Sequence, residues 1–164
     1  MLSMAIMKTL GRHIGMLLLA VVMLIGSSCS KVSDISLTSY RIEDVSMNGL
    51  RSADVTLSLG IHNPIIQFTL QGNSATLYRQ GVQIGTVDAT DVTIPARTDG
   101  VYQVTGTATL SDEMSLLKAM ALARNFRPEE YTVDIHTTIK LKSGAKFKVN
   151  KLGIPLNELT ENKQ

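Results

Sequence analysis

Apolar and polar side chains alternate through most of this chain. Ala53, Val55, Leu57, Leu59 and Ile61 are interleaved with Asp54, Thr56, Ser58 and Gly60. Ile66, Phe68 and Leu70 alternate with Gln67, Thr69 and Gln71, and Tyr102, Val104, Gly106, Ala108 and Leu110 alternate with Gln103, Thr105, Thr107 and Thr109. The longest run is Tyr131, Val133, Ile135, Thr137, Ile139 and Leu141, followed by Ala145, Phe147 and Val149. A period of two sends successive side chains to opposite faces, so each run predicts a half-buried strand. Shorter runs predict weaker strands over 35–40, 75–78, 82–87 and 92–94. Thr and Val abound across these runs taken together, as a pleated surface prefers.

Turn residues fall where the runs stop. Arg79-Gln80-Gly81 links two short strands, Arg97-Thr98-Asp99-Gly100 precedes the Tyr102 strand, and Lys142-Ser143-Gly144 closes the last hairpin. Gly supplies a positive φ there at little steric cost. Pro64 and Pro95 lack the donor a ladder needs, so they mark strand ends or bulges.

One segment changes period. Residues 112–124 predict a helix capped by Ser111, with Asp112 and Glu113 at its positive end and Arg124 at its negative end. Met114, Leu117, Met120 and Ala121 share a face at helical spacing and are expected to pack into the core, with Asn125 and Pro128 ending the helix. Seven to nine short strands with one late helix predict a mainly β fold, an antiparallel β-sandwich with one inserted helix.

The N-terminus follows another rule. Lys8, Arg12 and His13 precede an unbroken apolar run over 14–25, then Gly26-Ser27-Ser28, then Cys29. Basic, apolar and small-residue regions in that order make a secretory signal. The apolar run is shorter than the about 20 residues a spanning helix needs. Cys29 is the single cysteine of the chain, and its place directly after the small residues resembles a bacterial lipoprotein signal. That resemblance implies a diacylglycerol on the Cys29 sulfur, removal of the leader and acylation of the new amino terminus. Gly26 stands where Leu is commonest in such signals. Two or three acyl chains hold a protein stably where one does not. Ser30 follows Cys29. An Asp at that place would favour the inner membrane, so the expected location is the cell envelope, at the outer membrane. The domain reading is thus 1–28 signal peptide, 29–34 acylated start and short tether, 35–155 β-sandwich, and 156–164 polar tail.

Composition adds exclusions. The leader contains Lys8 and Arg12 and no acid, so the formal charge of +2 belongs to it and the rest of the chain is balanced. No clustered basic excess suggests a nucleic-acid partner. One thiol makes neither an internal disulfide nor a zinc cluster.

The stretch 54–110 carries a family resemblance. A strand ends in Asn63-Pro64, Phe68-Thr-Leu follows, then Leu77-Tyr78-Arg-Gln-Gly81-Val-Gln-Ile-Gly85, then Val92-Thr-Ile-Pro95 and a Thr-rich strand. This resembles the late-embryogenesis-abundant type 2 domain, also called the water-stress and hypersensitive-response domain, over nearly all of 35–150. The distinctive pair is Asn63-Pro64 with the Tyr78, Gly81 and Gly85 hairpin. The resemblance implies a fibronectin type III or immunoglobulin-like sandwich with one helix. It also implies a non-enzymatic protein of stress responses, with no catalytic residues to carry over. Asn63-Pro64 also has a plain structural explanation, since Asn bonds its neighbouring backbone and Pro ends a ladder.

Candidate chemistry is sparse. His62 precedes a turn and His136 lies on the polar side of its strand, neither at metal-ligand spacing from another donor. Asp88, Asp91 and Asp99 fit solvated turns better than a calcium loop. No nucleophile motif or phosphate loop is present. The expectation is a protein without catalytic residues, metal or cofactor. Its partners would be the membrane, through lipid on Cys29, and an envelope protein, which it would bind as a stress-protection or binding module or serve as an accessory subunit of an envelope assembly. One charged feature stands out. Lys140, Lys142, Lys146 and Lys148 share the polar face of the last hairpin, with Lys151 just beyond. Protection of an edge strand against aggregation is the favoured explanation. A patch for anionic headgroups or an acidic partner is the other.

Overall fold

The computed structural model describes residues 34–160. The leader, Cys29 and the tether through residue 33 lie outside them.

Eight strands form: β1 (Ser36–Met47), β2 (Ser52–Asn63), β3 (Phe68–Arg79), β4 (Val82–Ala89), β5 (Val92–Ile94), β6 (Thr98–Leu110), β7 (Tyr131–Leu141) and β8 (Lys146–Pro155). Two helices, α1 (Leu116–Arg124) and α2 (Leu156–Thr160), and a single 3-10 turn, Pro128–Glu130, complete the described elements. The strands pair in the order β1-β2-β6-β4-β3-β7-β8, all antiparallel, with β5 beside the start of β3.

The protein is mainly β, one antiparallel sheet folded on itself as an open sandwich. The fold-over runs through β4. Its residues pair with β3 from Arg79 back to Asn73, and its second half, Gly85 to Ala89, also pairs with Leu110 to Gly106 of β6. The inward sets of both halves then meet. Ala53, Val55, Leu57, Leu59 and Ile61 of β2 share one buried cluster with Phe68, Leu70 and Ala75 of β3 and Tyr131, Val133 and Ile135 of β7. Burying a Leu, Ile or Val fully contributes about 1.5–3 kcal/mol each, so the period-two pattern is also the main source of stability.

Several elements depart from the pattern-based expectation. The runs over 66–70 and 75–78 merge into one strand, β3, which starts at Phe68 and leaves Ile66 and Gln67 in the connection from β2. The intervening Gln71-Gly72-Asn73 is absorbed as a bulge, where the β7 register jumps and Gly72 takes φ +58°. β6 starts earlier than expected because Arg97, at φ +53°, completes the turn before Thr98. β1 runs on to Met47 as an edge strand supported by β2. β8 continues past Val149 to Pro155, bulging near Gly153 (φ +64°).

The helix is the largest correction. Ser111 does not cap it: the Ser111 N–H donates to the Ile84 carbonyl, and the Met114 N–H donates to the Ser111 carbonyl in a turn. The cap is Ser115, whose Oγ accepts from Lys118 N–H at 3.2 Å. The expected apolar face does not enter the core. Met114 is buried but precedes the helix, Leu117 and Ala121 are exposed, and α1 buries no residue. The C-terminal segment also differs. Leu156, placed by pattern in a polar tail, begins α2 and belongs to the core cluster.

Candidate functional site

The two ends of the sandwich differ in chemistry, and the register defines them. Ser36 of β1 pairs with His62, at the end of β2, and Asn63 pairs with Thr98. The short connection 64–67 then leads to Phe68, which pairs with Leu141 at the end of β7. The entry of the chain into β1, the β2–β3 and β5–β6 connections and the β7–β8 turn therefore share one end. At the far end lie the β1–β2 turn, the β3–β4 turn, α1 and the 3-10 turn.

Three of the four candidate lysines lie on the outer face at the entry end, and the fourth tops it. Lys140 of β7 stands directly opposite Lys146 of β8, and Thr138 stands opposite Lys148, so the three ammonium groups share one face. Lys142 is exposed in the turn, which Gly144 closes at φ +93°. On β3 the neighbours of Lys140 and Thr138 are Thr69 and Gln71. Among the described residues none of the four lysines forms an ion pair.

Asn63 is a junction at the same end. It is fully buried. Its Nδ2 donates to the carbonyls of Ile66 (2.8 Å) and Pro95 (2.7 Å), and its Oδ1 accepts from the Ile65 N–H (3.2 Å). One side chain thus ties the β2–β3 connection to the β5–β6 connection, while Pro64 is exposed.

The Tyr78 hairpin closes at the far end. Gln80 and Gly81 both take positive φ, +51° and +78°, as a two-residue primed turn requires. Tyr78 is half-buried and pairs with Gln83 and Thr132. Gly85 sits where β4 joins β6, and a Cβ there would lie 2.6 Å from the Thr109 carbonyl oxygen. Backbone cannot swing aside as a flexible side chain does, so Gly85→Ala should lower the unfolding free energy by about 1–3 kcal/mol. Urea denaturation checks this, and unchanged stability would refute the close approach as the reason for the glycine.

Other polar groups pair locally. His62 Nδ1 meets Asp99 across β2 and β6, and His136 Nδ1 meets Asn150 Oδ1 at 2.8 Å. Asp91 accepts from the Gly72 N–H at 3.2 Å. Among the described residues no group of three or more His, Cys, Asp and Glu side chains could share an ion.

Two clusters escaped the sequence reading. Arg79 donates from Nε to Glu130 Oε2 at 2.8 Å, and a second Arg79 nitrogen meets the same oxygen. The guanidinium lies 6.0 Å from the Tyr131 ring centroid, and Phe126 stacks on Tyr131 at 4.7 Å. This clamp holds the α1–β7 connection against the end of β3. Burial pushes the Tyr131 hydroxyl up, and the hydrogen bond to Glu130 raises Arg79. The second cluster is inside: Asn73, in the β3 bulge, donates to the Leu70 (3.2 Å) and Thr90 (3.1 Å) carbonyls and accepts from Thr137 Oγ1 at 2.5 Å. Gly72-Asn73 between two apolar runs was the available signal for it.

These features define an antiparallel β-body with a cluster of lysines at the end where the chain enters. No protein-family model matches the sequence, and no curated protein sequence matches it. Among solved structures, a protein from Archaeoglobus fulgidus shares 16% identity at a TM-score of 0.42, with 71% of this chain and 94% of that one covered. AT1g01470 from Arabidopsis thaliana shares 16% at 0.37, covering 71% and 75%. A glycoside hydrolase family 2 β-glucuronidase shares 15% at 0.31, covering 71% of this chain but 11% of its own length. At these identities and scores the likenesses say nothing of chemistry.

Proposed function

We propose that this protein is a lipoprotein of the cell envelope, held by acyl chains on Cys29, whose β-body is a non-catalytic binding module facing away from the membrane. The observation that carries the reading is the order of basic, apolar and small residues before Cys29, with only 30–35 between that cysteine and β1. At about 3.5 Å per extended residue such a tether reaches roughly 20 Å, so the body stays near the bilayer. Ser30 favours the outer membrane. The resemblance to late-embryogenesis type 2 domains points to stress protection as the physiological setting.

Protein binding is favoured by the far end. Met47 at the end of β1 and Leu50 of the β1–β2 turn are exposed, as are Leu116 and Leu117 of α1, with Leu50 and Leu117 each at 76%. Arg51 ties the β1–β2 turn to the end of β6, from which the chain leads to α1: its carbonyl accepts from the Leu110 N–H, and its guanidinium meets the Ser111 carbonyl. Large apolar side chains exposed at the same end of the body fit a protein contact.

Intact mass of the protein from the membrane fraction tests the anchor. A lipid-sized increment on wild type, absent from Cys29→Ala, is expected; an unmodified wild-type mass would refute it. A photoreactive residue in place of Leu117 should give one discrete adduct with an envelope protein in cells, and one in place of Thr105, on the β6 face, should not. Should neither react while the purified full chain preserves an enzyme dried beside it, stress protection without a stable partner replaces this reading.

A further inference from the structure

We propose that the β7–β8 hairpin docks on anionic phospholipid headgroups, so that the anchored body rests with its entry end against the bilayer. The proximity rests on acylation of Cys29; the rest of the argument comes from the fold.

Two explanations compete for the lysines, and the strand order separates them. Protection of a sheet edge requires charges on an edge strand. β8 is such an edge, but β7 is covered by β3 on one side and β8 on the other. Lys140 therefore guards no edge, and Lys142 lies in the turn. Edge protection also gives no reason to set Lys140 directly against Lys146, since like charges opposite one another destabilise a sheet. With no acidic partner among the described residues, the arrangement lacks its counter-charge.

The placement says where that counter-charge lies. The lysines sit at the end of the body where the chain enters from Cys29, not at the opposite tip. The tether that confines the body to the membrane leaves this end nearest to it. Two apolar side chains are exposed at this end as well: Ile66 of the β2–β3 connection at 45%, and Phe147, which pairs with Ile139 on the other face of β8 from the lysines, at 54%. Cations for phosphates, with apolar groups for the headgroup boundary, are the parts of an interfacial membrane contact.

The test uses the full lipidated chain carrying Ser143→Cys, whose new thiol takes a fluorophore while the acylated Cys29 does not react. The protein is reconstituted in phosphatidylcholine vesicles with or without phosphatidylglycerol, each containing headgroup-labelled nitroxide lipid as quencher. Strong quenching is expected with phosphatidylglycerol and weak quenching without it. Raising the salt to roughly 0.5 M, where charges are screened beyond a few ångströms, should relieve it. Each Lys→Gln change at 140, 142, 146 and 148 should weaken the contact roughly fivefold, and the quadruple variant should match the phosphatidylcholine level with its thermal melt unchanged. Equal quenching in both vesicles, or quenching that survives the quadruple change, overturns the proposal. The mass of the same sample reports the anchor separately. If no acyl mass is found, sedimentation of the unacylated full chain with phosphatidylglycerol vesicles decides: lysine-dependent binding supports the hairpin contact, and no binding overturns it.

Discussion

Asn73→Ala should lower the unfolding free energy by roughly 3–5 kcal/mol, one of the two largest effects expected of a single polar truncation in this body. The side chain is almost fully buried and makes three hydrogen bonds, to Leu70, Thr90 and Thr137. Truncation leaves two carbonyls and one hydroxyl without that partner, each costing about 1–3 kcal/mol where water cannot substitute. The position also explains the bulge. Gly72 at φ +58° turns the strand so that Asn73 points inward, and the amide replaces the bonds that the interrupted ladder cannot make. Thr137→Val removes only the hydroxyl, at about 1–2 kcal/mol. The double variant should cost little more than Asn73→Ala alone, because both changes remove the same bond. Urea denaturation of the four proteins measures this coupling, and strict additivity would show that the two side chains act independently.

The same bulge shows how far the sequence reaches. Where period two is unbroken and a glycine turn follows, as from Tyr131 through Leu141 to Gly144, the expected and observed bounds of β7 coincide. At Gln71-Gly72-Asn73 the local signal says stop, and only pairing with β7 on both sides of the interruption shows that the strand continues. The helix cap failed for a similar reason. Ser111 has the right chemistry three residues before Met114, but the Met114 N–H donates to the Ser111 carbonyl in a turn instead of to its hydroxyl, and the helix starts only after Ser115. Of the methionine and leucine stripe Met114 is buried, but it lies before the helix, and the helix itself buries no residue, so helical spacing alone did not show which positions reach the core.

The support for the proposed function is divided between sequence and fold in the same uneven way. The shared face of Lys140, Lys146 and Lys148 follows from alternation alone. Their position at the entry end does not, since it depends on Ser36 meeting His62 and Phe68 meeting Leu141, contacts distant in sequence. Cys29 is the reverse case: its proposed acylation rests wholly on the sequence, outside the described residues.

Asn63→Ala is the companion prediction, with a loss of roughly 3–5 kcal/mol. Asn63 is fully buried, donates to the Ile66 and Pro95 carbonyls, and accepts from the Ile65 N–H. Three backbone groups in two connections depend on it, and those connections set where β3 and β6 begin. Asn63→Asp keeps the acceptor for Ile65 but replaces the donating nitrogen with an oxygen facing the Ile66 and Pro95 carbonyls, so it should be no milder than the alanine change. Pro64→Ala, one residue on and exposed, should change stability by less than about 1 kcal/mol, since it alters mainly the freedom of the unfolded chain. Thermal and urea unfolding of the three variants checks this ordering. A small effect of Asn63→Ala beside a large one of Pro64→Ala would mean that the Asn-Pro pair owes its place to something other than this junction. If the predicted order holds, the pair is a strand-ending device, and the surface chemistry of the entry end belongs to the lysines beside it.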